Sequence, residues 1–354
     1  TRAVVVEPLT NYNIIVFDQR FRKNSSVSLI NTNVTRNGSF RDGNVSALVW
    51  DLNTSKNTYN LSGNIKYSYV NDIEDQKNGV DTSLDFAETS GKYRYSFGTN
   101  LVTKDFDNND LGINFETNYY NFYGNTSYRI LNPTKIFNSF NANVNAYAQF
   151  QKETGKTQGN QINLQVNSTT KKNHYIGFGM QYSPFDSYDF YEPRIVGRYS
   201  IIPTQIENWI VISTNYNNKF AFDIIPSLAF VNEPGRKSFG INLSPRYRFS
   251  DRFALIYNFD FLKRRNNKGY ADRLDEDNNP FTPNTIIYAN RDVVYYTNTL
   301  NGKYSLSSRM NFDISARYYW SYTENKNFLK LEENGSLSPF ENYTKNKNQN
   351  LITW

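Results

Sequence analysis

The feature that most constrains this chain is period-two patterning. Segment after segment, each about ten to fifteen residues long, alternates polar side chains with apolar or aromatic ones. From Lys92 to Thr103 one phase reads Tyr93, Tyr95, Phe97, Thr99, Leu101, and the other Lys92, Arg94, Ser96, Gly98, Asn100. Met310, Phe312, Ile314, Ala316, Tyr318 and Trp320 alternate with Asn311, Asp313, Ser315 and Arg317. Phe253, Leu255, Tyr257, Phe259 and Phe261 form another such phase. Side chains of a strand point alternately to its two faces, so each segment carries one continuous apolar stripe. A helix would scatter the same residues around its axis. The chain is therefore expected to be all-β.

Composition then separates the β classes. The mean hydropathy is −0.69, and no run approaches the roughly 18 to 20 apolar residues that a spanning helix needs. Yet 16% of the 354 residues are aromatic, with 28 Tyr and 26 Phe, too many for a disordered polar chain. A membrane β-barrel reconciles these facts, because only alternate residues of each strand meet lipid. A soluble antiparallel sandwich or barrel also alternates. Segment length favours the membrane alternative: spanning strands need about 9 to 11 residues, against roughly five or six in ordinary sheets. Rings near segment ends, such as Tyr119, Tyr120, Phe150, Tyr175 and Phe249, suit the headgroup zone.

Tight turns are expected near Lys23-Asn24, Asn53 to Lys56, Ser90-Gly91, Lys171 to Asn173, Asn217-Asn218, Ser250-Asp251 and Ser307. Longer links are expected at Thr35 to Asp42, Asn71 to Gly79, Lys104 to Asn118, Gln151 to Gln158, Pro184 to Gln205, Asn266 to Asn284 and Thr323 to Asn350. Short turns on one rim and long loops on the other form the outer-membrane pattern. The expected fold is a large antiparallel transmembrane β-barrel, with about sixteen strands in these residues and roughly 18 to 20 when complete. Residues 1–354 read as one outer-membrane barrel domain continued at both ends, since Thr1 to Thr10 enter a strand and Leu351 to Trp354 begin another. Pro226 and Pro245 each remove a ladder donor, so a bulge, bend or shifted strand end is expected at each.

Functional signals are sparser. The chain has no cysteine, which excludes disulfides, thiolate metal sites and a cysteine nucleophile. The charge of +6 is dispersed without a basic block, giving no nucleic-acid signature. His174, the only histidine, sits beside a turn. Gly155-Lys156-Thr157 lacks the glycine-rich arc of a phosphate-binding loop. The acidic stretch Asp272 to Asp277 offers oxygen ligands without EF-hand spacing, so no metal site and no cofactor are assigned. No nucleophile, base and orienter stand out, and no catalytic residue is assigned. The charged members of the polar phase, Lys66, Arg94, Arg246, Arg248, Asp260, Asp313 and Arg317, are expected to face a hydrated lumen or a plug. The loop residues Phe185, Tyr188, Phe190, Tyr191 and Arg194 are candidates for a ligand or partner contact, or for a lid that packs on its own chain.

Val6-Glu7-Pro8-Leu9-Thr10-Asn11-Tyr12 followed by Asn24-Ser25-Ser26, the stretch Phe40-Arg41-Asp42-Gly43-Asn44-Val45, and Ser250-Asp251-Arg252-Phe253 to Gly269-Tyr270 resemble the DUF5916 family. The resemblance implies the barrel part of a Bacteroidota outer-membrane protein whose full-length members carry an amino-terminal family 9 carbohydrate-binding-like domain. The expected location is the cell outer membrane, with its lipid as partner. Periplasmic or surface proteins and a glycan are further possible partners. The leading expectation is a pore or anchor in uptake, export or surface glycan handling. The alternatives are a structural or assembly component with a plugged lumen and, last, an enzyme within the wall.

Overall fold

The computed structural model describes residues 8–72, 75–110, 112–114, 116–274, 285–341, 343 and 348–353. Described residues form strands and links without a helix, and none could cross a membrane as a helix. The chain clusters into two compact units, residues 1–128 with 145–160, and residues 129–144 with 161–354.

The first unit is an antiparallel meander of β1 (Thr10–Phe21), β2 (Ser25–Arg36), β3 (Asp42–Asn53), β4 (Tyr59–Asn71), β5 (Gln76–Glu88), β6 (Tyr93–Val102) and most of β7 (Tyr119–Ile130). It also holds the later part of β8 (Phe137–Gln151) and the start of β9 (Thr157–Thr170). Register across these hairpins is unbroken: Phe17 lies opposite Leu29, Leu29 opposite Leu48, and Leu48 opposite Ile65. Alternation thus adds up across strands into one apolar face and one polar face. Turn residues fit the sharp reversals, with Asn57 at φ 52° and Gly91 at φ 79°.

The second unit continues through β10 (Tyr175–Ser183), the small hairpin β11 (Ser187–Asp189) and β12 (Ser200–Ile202), then β13 (Gln205–Ser213), β14 (Phe220–Val231) and β15 (Lys237–Arg248). Three long strands follow, β16 (Phe253–Leu274), β17 (Thr285–Ser307) and β18 (Met310–Leu331), with the short β19 (Leu337–Pro339) and β20 (Asn348–Thr353) beside β18. Polar stretches expected as loops are partly ladder. Asn267–Leu274 pairs with Thr285–Arg291, after one register irregularity and across a second. The links expected around Thr35 to Asp42 and Gln151 to Gln158 shrink to 37–41 and 152–156. A ladder needs only backbone partners, so Asn, Gln and Lys extend it readily once neighbouring strands are aligned.

The prolines act differently from expectation. Pairing of β13 with β14 runs from Gln205↔Val231 to Trp209↔Ser227 and resumes at Ile212↔Ile224 with the offset unchanged. Pairing of β15 with β16 likewise lapses between Leu243↔Phe259 and Arg246↔Ile256 without a slip. Each proline deletes local pairing and leaves register intact, because rows on both sides hold the hydrophobic faces in phase.

The expectation of a closed transmembrane barrel is overturned. Among the described residues β1 pairs with β2 alone, and every residue from Asn11 to Phe21 is exposed. Opposite β17, β18 is covered by β20 only at Tyr319–Glu324 and by β19 only at Leu329–Leu331. Met310 to Arg317 remain an exposed edge. The sheet is open, and the pore, anchor and plugged-lumen roles that presuppose closure fall with the barrel. Alternation dictates two unlike faces; it does not dictate that terminal strands meet, which is why local pattern misled here.

Candidate functional site

The apolar face is uncovered. Phe17, Leu29, Phe97 and Phe122 are 70%, 57%, 58% and 55% exposed, although each sits on the phase expected to be shielded from water. In the second unit this face is bordered by two aromatic belts. One links Tyr247 to Phe249 at 4.7 Å, Phe249 to Phe253 at 4.9 Å, and Phe253 to Tyr304 at 6.0 Å. The other links Phe261 to Tyr296 at 5.1 Å and Tyr296 to Trp320 at 5.2 Å. At roughly 3.3 Å per residue, the stretch from Phe253 to Phe261 separates the belts by about 26 Å along β16, close to the apolar thickness of a bilayer, about 25 to 30 Å.

Side chains of the polar face pair with one another across strands. Lys66 Nζ meets Asp81 Oδ2 at 2.9 Å, Asn64 Nδ2 donates to Ser83 Oγ at 2.6 Å, and the Tyr123 hydroxyl donates to Asp85. Cross-strand pairing of this kind is how unlike residues opposite one another stabilise a sheet.

One link in each unit folds back onto a strand end. In the first, residues 103–110 lie against β2 to β5. Phe106 is 2% exposed, and a Cβ on Gly79 would stand 2.2 Å from its backbone nitrogen. Ser68 is fully buried beneath the link, its Oγ accepting from the Asp107 amide at 3.0 Å. Asp110 sits over Gly43, where a Cβ would meet its carboxylate. It binds Arg36 Nη2 at 2.7 Å and Arg41 Nη2 at 2.9 Å, while Arg41 also reaches Asp107 at 3.0 Å. Two glycines admit the link, and two arginines hold it.

In the second unit the link between β10 and β13 packs on the long ends of β16 to β18. Ile195 joins Ile286, Tyr288, Leu329 and Leu331, and Pro193 is fully buried. The Glu192 carboxylate accepts from the Tyr270 amide at 2.8 Å. Arg198 Nη2 donates to the carbonyls of Leu331 and Glu332. At the neighbouring β14–β15 turn, Glu233 pairs with Lys268 and with Arg236, the latter at 2.7 Å.

These ion pairs govern two carboxyls. Burial raises Asp107, but hydrogen bonds from Arg41 and the Asn109 amide outweigh it, leaving Asp107 below its ordinary value. Burial likewise raises Glu233, and bonds from Lys268 and Arg236 overcome it, so its net shift is also downward. A depressed carboxyl contributes stability fully above its unfolded value and loses it as pH falls through the folded value. Hydrogen exchange at the Asp107 amide should therefore stay slow at neutral pH and quicken only below the ordinary carboxylate range. Exchange that quickens between neutrality and that range would contradict the assignment.

All seven charged residues expected to face a lumen occupy the polar phase, now the polar face of an open sheet. They do not converge. Lys66 pairs with Asp81, and Arg94 reaches the Gly91 carbonyl. Arg246 lies over the Tyr216 ring at 5.4 Å, and Arg248 donates to the Asn217 carbonyl. Asp260 accepts from Asn242, Asp313 stands opposite Lys303, and Arg317 lies 5.9 Å from the Tyr319 ring. Of the loop candidates, Tyr188 and Phe190 pack against Tyr199 at 5.3 and 5.2 Å, and Arg194 covers Tyr270 at 4.2 Å. Phe185 and Tyr191 are exposed. The acidic stretch keeps one described member of interest, Asp272, which accepts from the Tyr343 hydroxyl at 2.6 Å. Asp275, Glu276 and Asp277 lie outside the described residues. His174 donates its amide to Thr170 Oγ1 in its turn. Arg36 and Glu233 carry no local motif and were not legible as site residues.

Fold and surface together define an open antiparallel sheet protein with a bare apolar face and loop-clamped strand ends. The chain belongs to the family described as a domain of unknown function, DUF5916, whose model matches residues 1–354. No curated protein and no solved structure matches it.

Proposed function

We propose that the apolar face is a lipid-contacting surface and that the protein resides in the cell outer membrane, with membrane lipid as its partner. The observation carrying this reading is the uncovered apolar phase. Soluble proteins rarely leave contiguous apolar patches beyond a few hundred Å², and in a sandwich those residues would be tucked against a second sheet. The belt spacing agrees with a bilayer, and the self-paired polar face suits water. The lipid contact belongs to the faces, since the bare β1 edge needs water or another strand for its backbone groups.

Envelope fractionation tests this proposal. The full-length protein should sediment with outer-membrane markers, resist alkaline extraction and dissolve only with detergent. Release into the soluble fraction without detergent would end the reading.

A further inference from the structure

On the apolar face of the second unit, near the β14–β15 turn, lies a groove distinguished by its composition. An opening of about 360 Å³ is floored by Leu228, Phe230 and Phe239 and bordered by Lys237, Lys263 and Arg265. Register explains the grouping. Lys237 lies between Phe230 and Arg265, and Phe239 lies between Leu228 and Lys263, so two adjacent rows each combine apolar side chains with cations. The rows beyond continue as Ile241 with Phe261 and Leu243 with Phe259, so charge stands level with the β14–β15 turn and grease lies deeper. Among the described residues none of the three cations has an ion-pair partner. Asp292, whose charge is felt by Arg265, is held by Lys326 at 2.7 Å. The groove on the first unit's apolar face, lined by Phe17, Leu29, Leu48 and Ile65 among others, has no cation. The charged border thus distinguishes this groove from that one.

We propose that this groove binds a phosphate-bearing membrane lipid, its acyl chain on Leu228, Phe230 and Phe239 and its headgroup phosphate between Lys237, Lys263 and Arg265. The proposal rests on the lipid-contacting reading above and adds headgroup selectivity to it. Charge complementarity chooses the occupant. Three unpaired cations beside an apolar floor repel a cationic partner and are left unmatched by a purely apolar one, and Lys and Arg stems cover apolar surface while their heads reach polar groups. Arginine adds a planar fork suited to phosphate oxygens.

The test is flotation of the full-length protein with vesicles of phosphatidylcholine alone and of phosphatidylcholine mixed with phosphatidylglycerol. The variant carries Lys237→Gln, Lys263→Gln and Arg265→Gln together; Lys219→Gln, outside the groove, is the control. Wild type should bind both vesicles and prefer the anionic ones. Each basic residue near an anionic surface is worth roughly fivefold in partitioning, so the triple variant should lose up to on the order of a hundredfold of that preference. It should keep its binding to phosphatidylcholine, and the control should behave as wild type. A triple variant that retains the preference overturns the headgroup site while leaving the lipid-contacting reading intact. Wild type that binds neither vesicle overturns that reading. Displacement from anionic vesicles by millimolar inorganic phosphate at constant ionic strength, with no loss of phosphatidylcholine binding, overturns the assignment to a lipid.

Discussion

Asp110→Ala is expected to release residues 103–110 from the sheet of the first unit. The Asp110 side chain is 10% exposed and that of Arg36 19%, so removing the carboxylate strands a largely buried guanidinium and half of the Arg41 interaction. Breaking such a pair from one side costs about 3 to 5 kcal/mol. Much of that cost should appear locally, because the β2–β5 ladders do not depend on the link. Exchange at the Asp107 amide should accelerate by roughly two to three orders of magnitude, and proteases should cut within 103–118 while the strands persist. Unchanged protection of that amide would show that Phe106 and Gly79 alone hold the link.

Ile210→Arg is the second large effect. Ile210 is 45% exposed on the apolar face, in the row of Pro226 and Ile241. In water an added charge at an exposed strand position changes stability by less than about 0.5 kcal/mol. Against acyl chains, an arginine costs roughly 2 to 4 kcal/mol near the midplane. The variant should therefore assemble poorly into membranes, measured as the fraction inserted into vesicles from urea, whereas Ser227→Arg on the polar face should insert like wild type. Equal insertion of the two variants would contradict the distinction between the faces.

The antiparallel strands were legible because alternation is local: each residue's neighbours two positions away decide its face. What depends on distant partners was not legible. Closure depends on the terminal strands finding one another, and the Tyr93 or Met310 patterns say nothing of that. The clamp in the first unit needs Gly43 and Gly79 beneath a link that follows β6; Gly43 lies in a stretch that carries the family resemblance, but nothing local marks either glycine as the seat of a later link. Asp107 and Asp110 lie in the link expected at Lys104 to Asn118, but their arginine partners lie some seventy positions away (Arg36 and Arg41 for Asp110). The cations of the groove were obscured for another reason. Lys237, Lys263 and Arg265 fall on the apolar phase, where a polar residue reads as a fading strand end until register places the three together. Loop self-packing was among the alternatives for Tyr188, Phe190 and Arg194; only the fold shows Tyr199 and Tyr270 beneath them.

The central claim, that the two faces meet different solvents, is tested most directly by tryptophan quenching. Trp50 and Trp320 lie on the apolar phase, opposite Gly63 and Tyr296, whereas Trp209 lies on the polar phase opposite Gly179. Single-tryptophan variants retaining each in turn should be placed in vesicles whose acyl chains carry bromine. The account predicts strong quenching of Trp50 and Trp320 and little of Trp209. Quenching of Trp209 alone, or of none of the three in protein that remains vesicle-bound, would contradict it.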